Sequence, residues 1–138
     1  MLKKTITYSD LDGNSIKEDF YFHMSKAELT VLAHSEIGGL DTAIEKIIRA
    51  RDAKSLMSLY EDIILTAYGE QSADRKRFIK NKELSEAFKQ TEAYSILFME
   101  LLEDDNAALA FIRGICPKEL QDEMTDEKIE ETMHQMNV

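Results

Sequence analysis

Tyr68 to Asp104 reads YGEQSADRKRFIKNKELSEAFKQTEAYSILFMELLED, and the order of its parts decides the fold. It begins as a helix end, passes through a basic connection and continues into two helices. Gly69 stands where a C-terminal cap belongs, and Gly69 to Asn81 reads as loop, with Phe78 and Ile79 anchoring it to the core. Lys82 to Lys89 is a short amphipathic helix around Leu84 and Phe88. Thr91 with Glu92 then opens a helix in which Ala93, Tyr94, Ile96, Leu97, Phe98, Met99, Leu101 and Leu102 circle the axis. A helix apolar on all sides belongs at the centre of a core or of an interface.

Upstream, the periodicity changes. Leu2 to Tyr8 alternates Leu2, Lys4, Ile6 and Tyr8 with Lys3, Thr5 and Thr7, and Ile16 to Phe22 alternates Ile16, Glu18, Phe20 and Phe22 with Lys17, Asp19 and Tyr21. A period of two with β-branched and aromatic residues predicts two strands. The SDLDGNS between them supplies turn residues, so the pair is an antiparallel hairpin. A lone hairpin is marginal in water and must pack on something. Helices follow it. Ser25 and Glu28 have capping-box spacing for a helix running to about Ser35, with a break near Gly38-Gly39. A second helix spans about Asp41 to Arg51, with Ile44, Ile47 and Ile48 on one face. Asp52 caps a third, whose apolar face is Leu56, Leu59, Tyr60, Ile63, Ile64, Ala67 and Tyr68.

Downstream, Asp104-Asp105 caps a helix carrying Leu109, Phe111, Ile112 and Ile115 up to Gly114, and Pro117, the one proline, punctuates the chain. Residues 118–138 are charged and thinly apolar, and are expected as a fraying helix or as disorder until a partner binds. The fold class is therefore α+β: an N-terminal antiparallel β-hairpin packed on a mostly α-helical body, with one domain over residues 1–117 and an acidic tail over 118–138.

Composition narrows the function. The chain has 138 residues, enough for one core, and a net charge of −10. Residues 118–138 hold seven acids against Lys118 and Lys128, a net −5, so half the charge sits there. Such a balance opposes general binding to nucleic-acid phosphates, and no nucleic-acid partner is expected. It helps keep a protein soluble while it offers apolar surface to a partner. Seven Met and no Trp favour adaptable packing. The single Cys116 excludes an internal disulfide and fits a reducing cytoplasm. MLKKTITYSD has no apolar stretch behind its lysines, so no signal peptide is expected. Ala93 to Leu102 is about half the roughly 20 residues that a membrane span needs, so no membrane partner is expected.

No catalytic, metal or cofactor site emerges from the residue pattern. Asp10-Leu11-Asp12-Gly13-Asn14 begins like a calcium loop, but Ser15 and Tyr21 stand where that loop requires Gly and Glu, and a hairpin turn explains it. His23, His34 and His134 lack close ligand spacing with one another or with Cys116. Cys116, beside Pro117 at a helix end, reads as a packed thiol. Glu61-Asp62 and Asp104-Asp105 are pairs that arise readily among 27 acids. More distinctive is the basic set Arg75, Lys76, Arg77, Lys80 and Lys82, five cations within eight residues. It reads as a solvated loop or as an electrostatic contact for an acidic surface, another copy's tail among the candidates.

Over nearly the whole chain up to Pro117, the sequence resembles the tail assembly chaperones of long-tailed phages and prophages of Gram-positive bacteria. The opening LKKTITYSDLDGNSIKEDFYFHMSKAEL, then Gly38-Gly39-Leu40 and IILTAYG (Ile63 to Gly69), look like the family's start. The densest similarity lies in Ser72, Arg77-Phe78-Ile79-Lys80, Leu84, Phe88, Thr91-Glu92-Ala93-Tyr94 and Phe98-Met99-Glu100-Leu101, followed by Ala108, Phe111-Ile112 and Pro117. One departure is visible: the family pattern has Asp-Gly before the basic pair, whereas here Asp74 precedes Arg75.

The resemblance implies a non-enzymatic protein without cofactors, acting in the host bacterial cytoplasm and absent from the mature virion. It implies binding to the long helical tape measure protein, recruitment of major tail (tube) protein, and in many such phages a longer form made by frameshifting. Homo-oligomers are compatible with it. The expected contact surface is the Tyr60-Ile64-Tyr68 face with the Phe78 to Phe88 region: Tyr60, Ile64, Tyr68, Arg75, Arg77, Phe78, Lys80, Leu84 and Phe88. Two rival functions are a structural tail component retained in the virion and an acidic DNA-mimic inhibitor.

Overall fold

The computed structural model describes residues 1–34, 39–49 and 52–118. The expected 118–138 tail lies outside them from residue 119 onward, as do Ser35, Gly38 and Arg51, the expected end of the second helix.

β1 (Leu2–Ser9) and β2 (Ser15–Phe22) pair antiparallel in a single register from Leu2 opposite Phe22 to Ser9 opposite Ser15. The alternation sets the faces: Ile6, Phe20 and Phe22 are buried while Lys3, Thr5, Thr7, Lys17 and Asp19 face out. Asp10 organises the turn by accepting hydrogen bonds from the Asp12 N–H at 3.0 Å and the Asn14 N–H at 2.8 Å. Gly13 there has φ of 85°, a region that L side chains rarely adopt.

α1 (Lys26–Ala33) starts with the anticipated capping box: Glu28 N–H donates to Ser25 Oγ at 3.1 Å, and Ser25 N–H donates to Glu28 Oε1 at 3.0 Å. It closes at His34. α2 (Leu40–Arg49) is followed by α3 (Ala53–Ala67), with Asp52 as N-cap to the Lys54 N–H. α4 (Lys82–Lys89), α5 (Glu92–Glu103) and α6 (Asp105–Ile115) begin on the side chains of Asn81, Thr91 and Asp104. Each capping oxygen meets an amide that the first turn would otherwise leave unbonded.

The sheet is larger than the sequence predicts. Tyr68, the residue after α3, is extended (φ −66°, ψ 141°), and Tyr68–Gln71 is a third strand, β3, antiparallel to β2 with Phe22 opposite Tyr68 and Tyr21 opposite Gly69. Phe78–Ile79 forms β4 against β3, giving the order β1-β2-β3-β4. Gly69 is therefore a strand residue and not a helix cap. It is needed for close approach: a Cβ would lie 2.6 Å from the Ile79 carbonyl oxygen and 2.6 Å from Phe78 Cε2. The expected loop is a tight hairpin.

The helices cover one face of this sheet, and the core lies between the two layers. Phe88 is its aromatic hub. Its ring stacks on Tyr68 at 4.2 Å and meets Phe20, Phe22 and Tyr94 at 5.1, 5.8 and 5.8 Å between centroids. Phe22 also packs edge-on to Phe111 of α6. The fold is α+β, as the sequence predicts.

Candidate interaction surface

α3, α4 and α5 enclose an open groove of about 400 Å³ lined by Lys54, Met57, Ser58, Glu61, Lys89, Tyr94 and Phe98. The helical repeat explains the lining. Lys54, Met57, Ser58 and Glu61 form one row on α3, directly beside the buried row of Leu59, Tyr60, Ile63 and Ile64. Tyr94 and Phe98 lie four apart on α5, flanking its buried row Ala93, Leu97 and Leu101. The floor is apolar and adaptable: Met57 is 42% exposed, and the Tyr94 and Phe98 rings lie 5.9 Å apart.

Charge frames the rim. Lys89 donates to Glu61 across the α4–α3 junction, and that carboxylate raises the lysine's affinity for its proton. Burial, and then the Glu61 and Asp62 charges, push the Tyr94 phenol up to about 12, so it remains a neutral hydrogen-bonding group. Partial burial and neighbouring Glu61 also raise the Asp62 carboxyl. Met99, 41% exposed, and Ile96, 37% exposed, extend apolar surface along α5 beyond the groove.

The expected contact residues separate into two sets. Tyr60, Ile64, Tyr68 and Phe88 are core side chains, with exposures of 1, 0, 9 and 2%. The face expected to remain open is covered because β2, β3 and α4 close over the end of α3, which the strand at Tyr68 makes possible. Arg75 and Arg77 are exposed, and Phe78, Lys80 and Leu84 are partly so. These five belong to the β3–β4 hairpin and the α4 that follows it.

That hairpin is tightly organised. Ser72 N–H donates to the Arg77 carbonyl and Arg75 N–H to the Ser72 carbonyl, both at 2.9 Å. Ser72 Oγ accepts from the Arg77 N–H at 3.0 Å and donates to Asp74 Oδ1 at 2.5 Å, while Asp74 Oδ1 also accepts from the Lys76 N–H at 3.0 Å. These hydrogen bonds, the one from Ser72 foremost, hold the Asp74 carboxyl below its ordinary value. Arg75 takes φ of 60°, a left-handed conformation uncommon for a residue other than glycine. At the hairpin's base, Lys80 pairs with Glu28 at 2.5 Å and lies 5.8 Å from the Phe78 ring centroid. Phe78 also meets the His23 ring edge-on, and burial is the first cause holding that imidazole below its usual value.

Sequence reasoning missed Lys54, Met57, Ser58 and Lys89 as surface partners of Tyr94 and Phe98. The available signal was the four-residue row beside the apolar stripe of α3, which carries a methionine where solvent would ordinarily favour a polar residue.

Among the described residues no three His, Cys, Asp or Glu side chains gather as metal ligands. Cys116 is fully buried, its thiol donates to the Ile112 carbonyl at 3.1 Å, and burial pushes it up to about 11. No helix among the described residues is long and apolar enough to cross a membrane.

Comparison with curated proteins and with solved structures returns no match. A family model described as phage tail assembly chaperone matches residues 1–137, and so extends through the acidic segment that the sequence resemblance left out.

Proposed function

The chain belongs to the phage tail assembly chaperone family, and from that premise we propose that it binds the tape measure protein, keeps it soluble and brings tail tube subunits to it. The observation that carries the reading is the family match over residues 1–137. The groove supports it. An extended helical client exposes an apolar stripe that aggregates unless covered, and a channel between two helices floored by Met57, Tyr94 and Phe98 suits one turn-spaced set of client side chains. The contact surface proposed is this groove, continued by the partly exposed Leu84 and Phe78 and by Arg75 and Arg77. The protein acts in the host cytoplasm without catalysis and leaves before the virion is complete.

The test is co-expression with the tape measure protein encoded by the same genome, followed by affinity capture and native mass measurement. A soluble complex with several copies of this chain per client is expected. Met57→Asp, at an exposed position, should lower capture at least about tenfold, the effect of losing roughly 1.4 kcal/mol of binding, with an unchanged circular dichroism spectrum. An insoluble client beside folded wild-type protein would overturn the assignment. Undiminished capture by Met57→Asp would move the contact away from the groove.

A further inference from the structure

Arg75, Lys76 and Arg77 at the β3–β4 tip have no ion-pair partner among the described residues, whereas Lys80 and Lys82 are engaged by Glu28 and Glu86. The one acid at the tip, Asp74, is tied into the turn by Ser72 and the Lys76 N–H. Three cations unpaired among the described residues are thus held on a hydrogen-bonded turn in a protein of net charge −10. The same chain carries the complementary charge: residues 119–138 contain seven acids and a single lysine, Lys128.

The described chain ends within reach of the hairpin. α6 ends at Ile115, whose carbonyl accepts from the Met24 N–H at 2.8 Å. Met24 Sδ is in turn 3.6 Å from Lys80 Nζ, at the base of the hairpin. α6 thus ends against Met24 and beside Leu2 of β1, at the end of the sheet toward which the Lys80 side chain reaches. From Lys80 to Lys76 is at most about 13 Å of chain at roughly 3.3 Å per residue, and the twenty residues of 119–138 reach about 66 Å when extended.

We propose that residues 119–138 dock across the β3–β4 hairpin of their own chain, setting carboxylates against Arg75, Lys76 and Arg77. Near its own exit point the segment has an effective concentration that a second molecule must exceed, and a nucleic acid would meet an overall anionic body. The inference does not rest on the client reading. Its consequence for that reading is that an acidic flank of a client competes with the segment for the same cations.

The test uses the full chain with a spin label at Glu131→Cys; Cys116 is buried and stays unlabelled. Amide broadening should concentrate on residues 72–80 at about 0.02 M salt. At about 0.5 M salt, where screening is several times shorter-ranged, it should weaken at least about threefold. It should disappear in the Arg75→Glu, Lys76→Glu, Arg77→Glu variant, whose amide dispersion shows whether it is folded. The tail-side variant Asp126→Asn, Glu127→Gln, Glu130→Gln should lose it too, leaving the body untouched. Broadening spread evenly over the surface, or unchanged by both variants, overturns the proposal. Broadening that passes from labelled to unlabelled molecules in a mixed sample gives the seat to a second copy and overturns docking within one chain.

Discussion

Replacing Tyr60 by Phe should stabilise the protein. Tyr60 is 1% exposed in the middle of α3, and its hydroxyl is buried with no hydrogen-bond partner among the described residues. Burial, and then the charge of Asp105, push the phenol up to about 12, so ionisation offers no relief at neutral pH. A buried polar group left unbonded costs about 1–3 kcal/mol relative to water. Deleting the oxygen leaves a void of about 15 Å³, which at about 24 cal/mol per Å³ costs roughly 0.4 kcal/mol. The ring and its packing remain. The net expectation is a gain of about 1–2 kcal/mol. With an m-value of about 2 kcal/mol/M, the urea midpoint should rise by roughly 0.5–1 M. Thermal unfolding should shift up by about 4 °C per kcal/mol for a domain of this size. Tyr8→Phe is the control of opposite sign, because that hydroxyl donates to Glu18 at 2.6 Å on the surface and its loss should be slightly unfavourable. A Tyr60→Phe variant that unfolds at lower urea than wild type would refute the reasoning and show that the hydroxyl has a partner. Client capture by the stabilised variant adds a second reading: undiminished capture is expected of a core residue, and lost capture would return Tyr60 to the contact surface.

Gly69→Ala should cost about 1–3 kcal/mol, the range for forcing extra atoms into a packed site, because its Cβ would meet the Ile79 carbonyl and the Phe78 ring; equal urea midpoints for variant and wild type would contradict the β3–β4 packing. Arg75→Gly should add about 0.5 kcal/mol, since relief of a left-handed arginine slightly outweighs the extra freedom of glycine in the unfolded chain, whereas a loss on denaturation would mean that the arginine side chain holds the turn. Glu28 is raised by partial burial but pulled further down by the Lys80 hydrogen bond and the Ser25 N–H, so its carboxyl sits below its ordinary value of 4.5. A lowered folded value contributes stability that is present above the unfolded value and lost as pH falls through the folded one. Stability should therefore decline as pH drops below about 4.5, and Glu28→Gln should flatten that part of the profile; a profile identical to wild type would remove Glu28 from the acid response.

The fold was legible wherever a short-range signal had one meaning. Period-two alternation and the turn at Asp10 specified the first hairpin, and the caps Ser25, Asp52, Thr91 and Asp104 mark the starts of four helices. β3 and β4 escaped because their identity comes from outside their own sequence. YGEQ and FI are too short to show a period, and Gly69 after an apolar helix is the ordinary signature of a C-terminal cap. The requirement that overrides it is non-local: β2 presents an edge at Tyr21 and Phe22, and pairing with that edge draws Tyr68 into the extended region immediately after the last helical residue.

The contact surface was less legible for a related reason. A stripe at helical spacing identifies a side that leaves water, and it carries no label for what covers it. On α3 the stripe of Leu59, Tyr60, Ile63 and Ile64 is the one that the protein covers itself. What a partner can use is the surplus, the apolar residues that a single buried row cannot accommodate. α5 illustrates this: Ala93, Leu97 and Leu101 complete its buried row, yet Tyr94, Ile96, Phe98, Met99 and Leu102 remain on its flanks. Two adjacent helices with surplus on facing flanks make a groove, as Met57 of α3 does with Tyr94 and Phe98. A helix apolar all round, seen from sequence, is thus best read as two statements. One row belongs to the core, and the remainder marks the side on which a second helix, from this chain or another, can still be received.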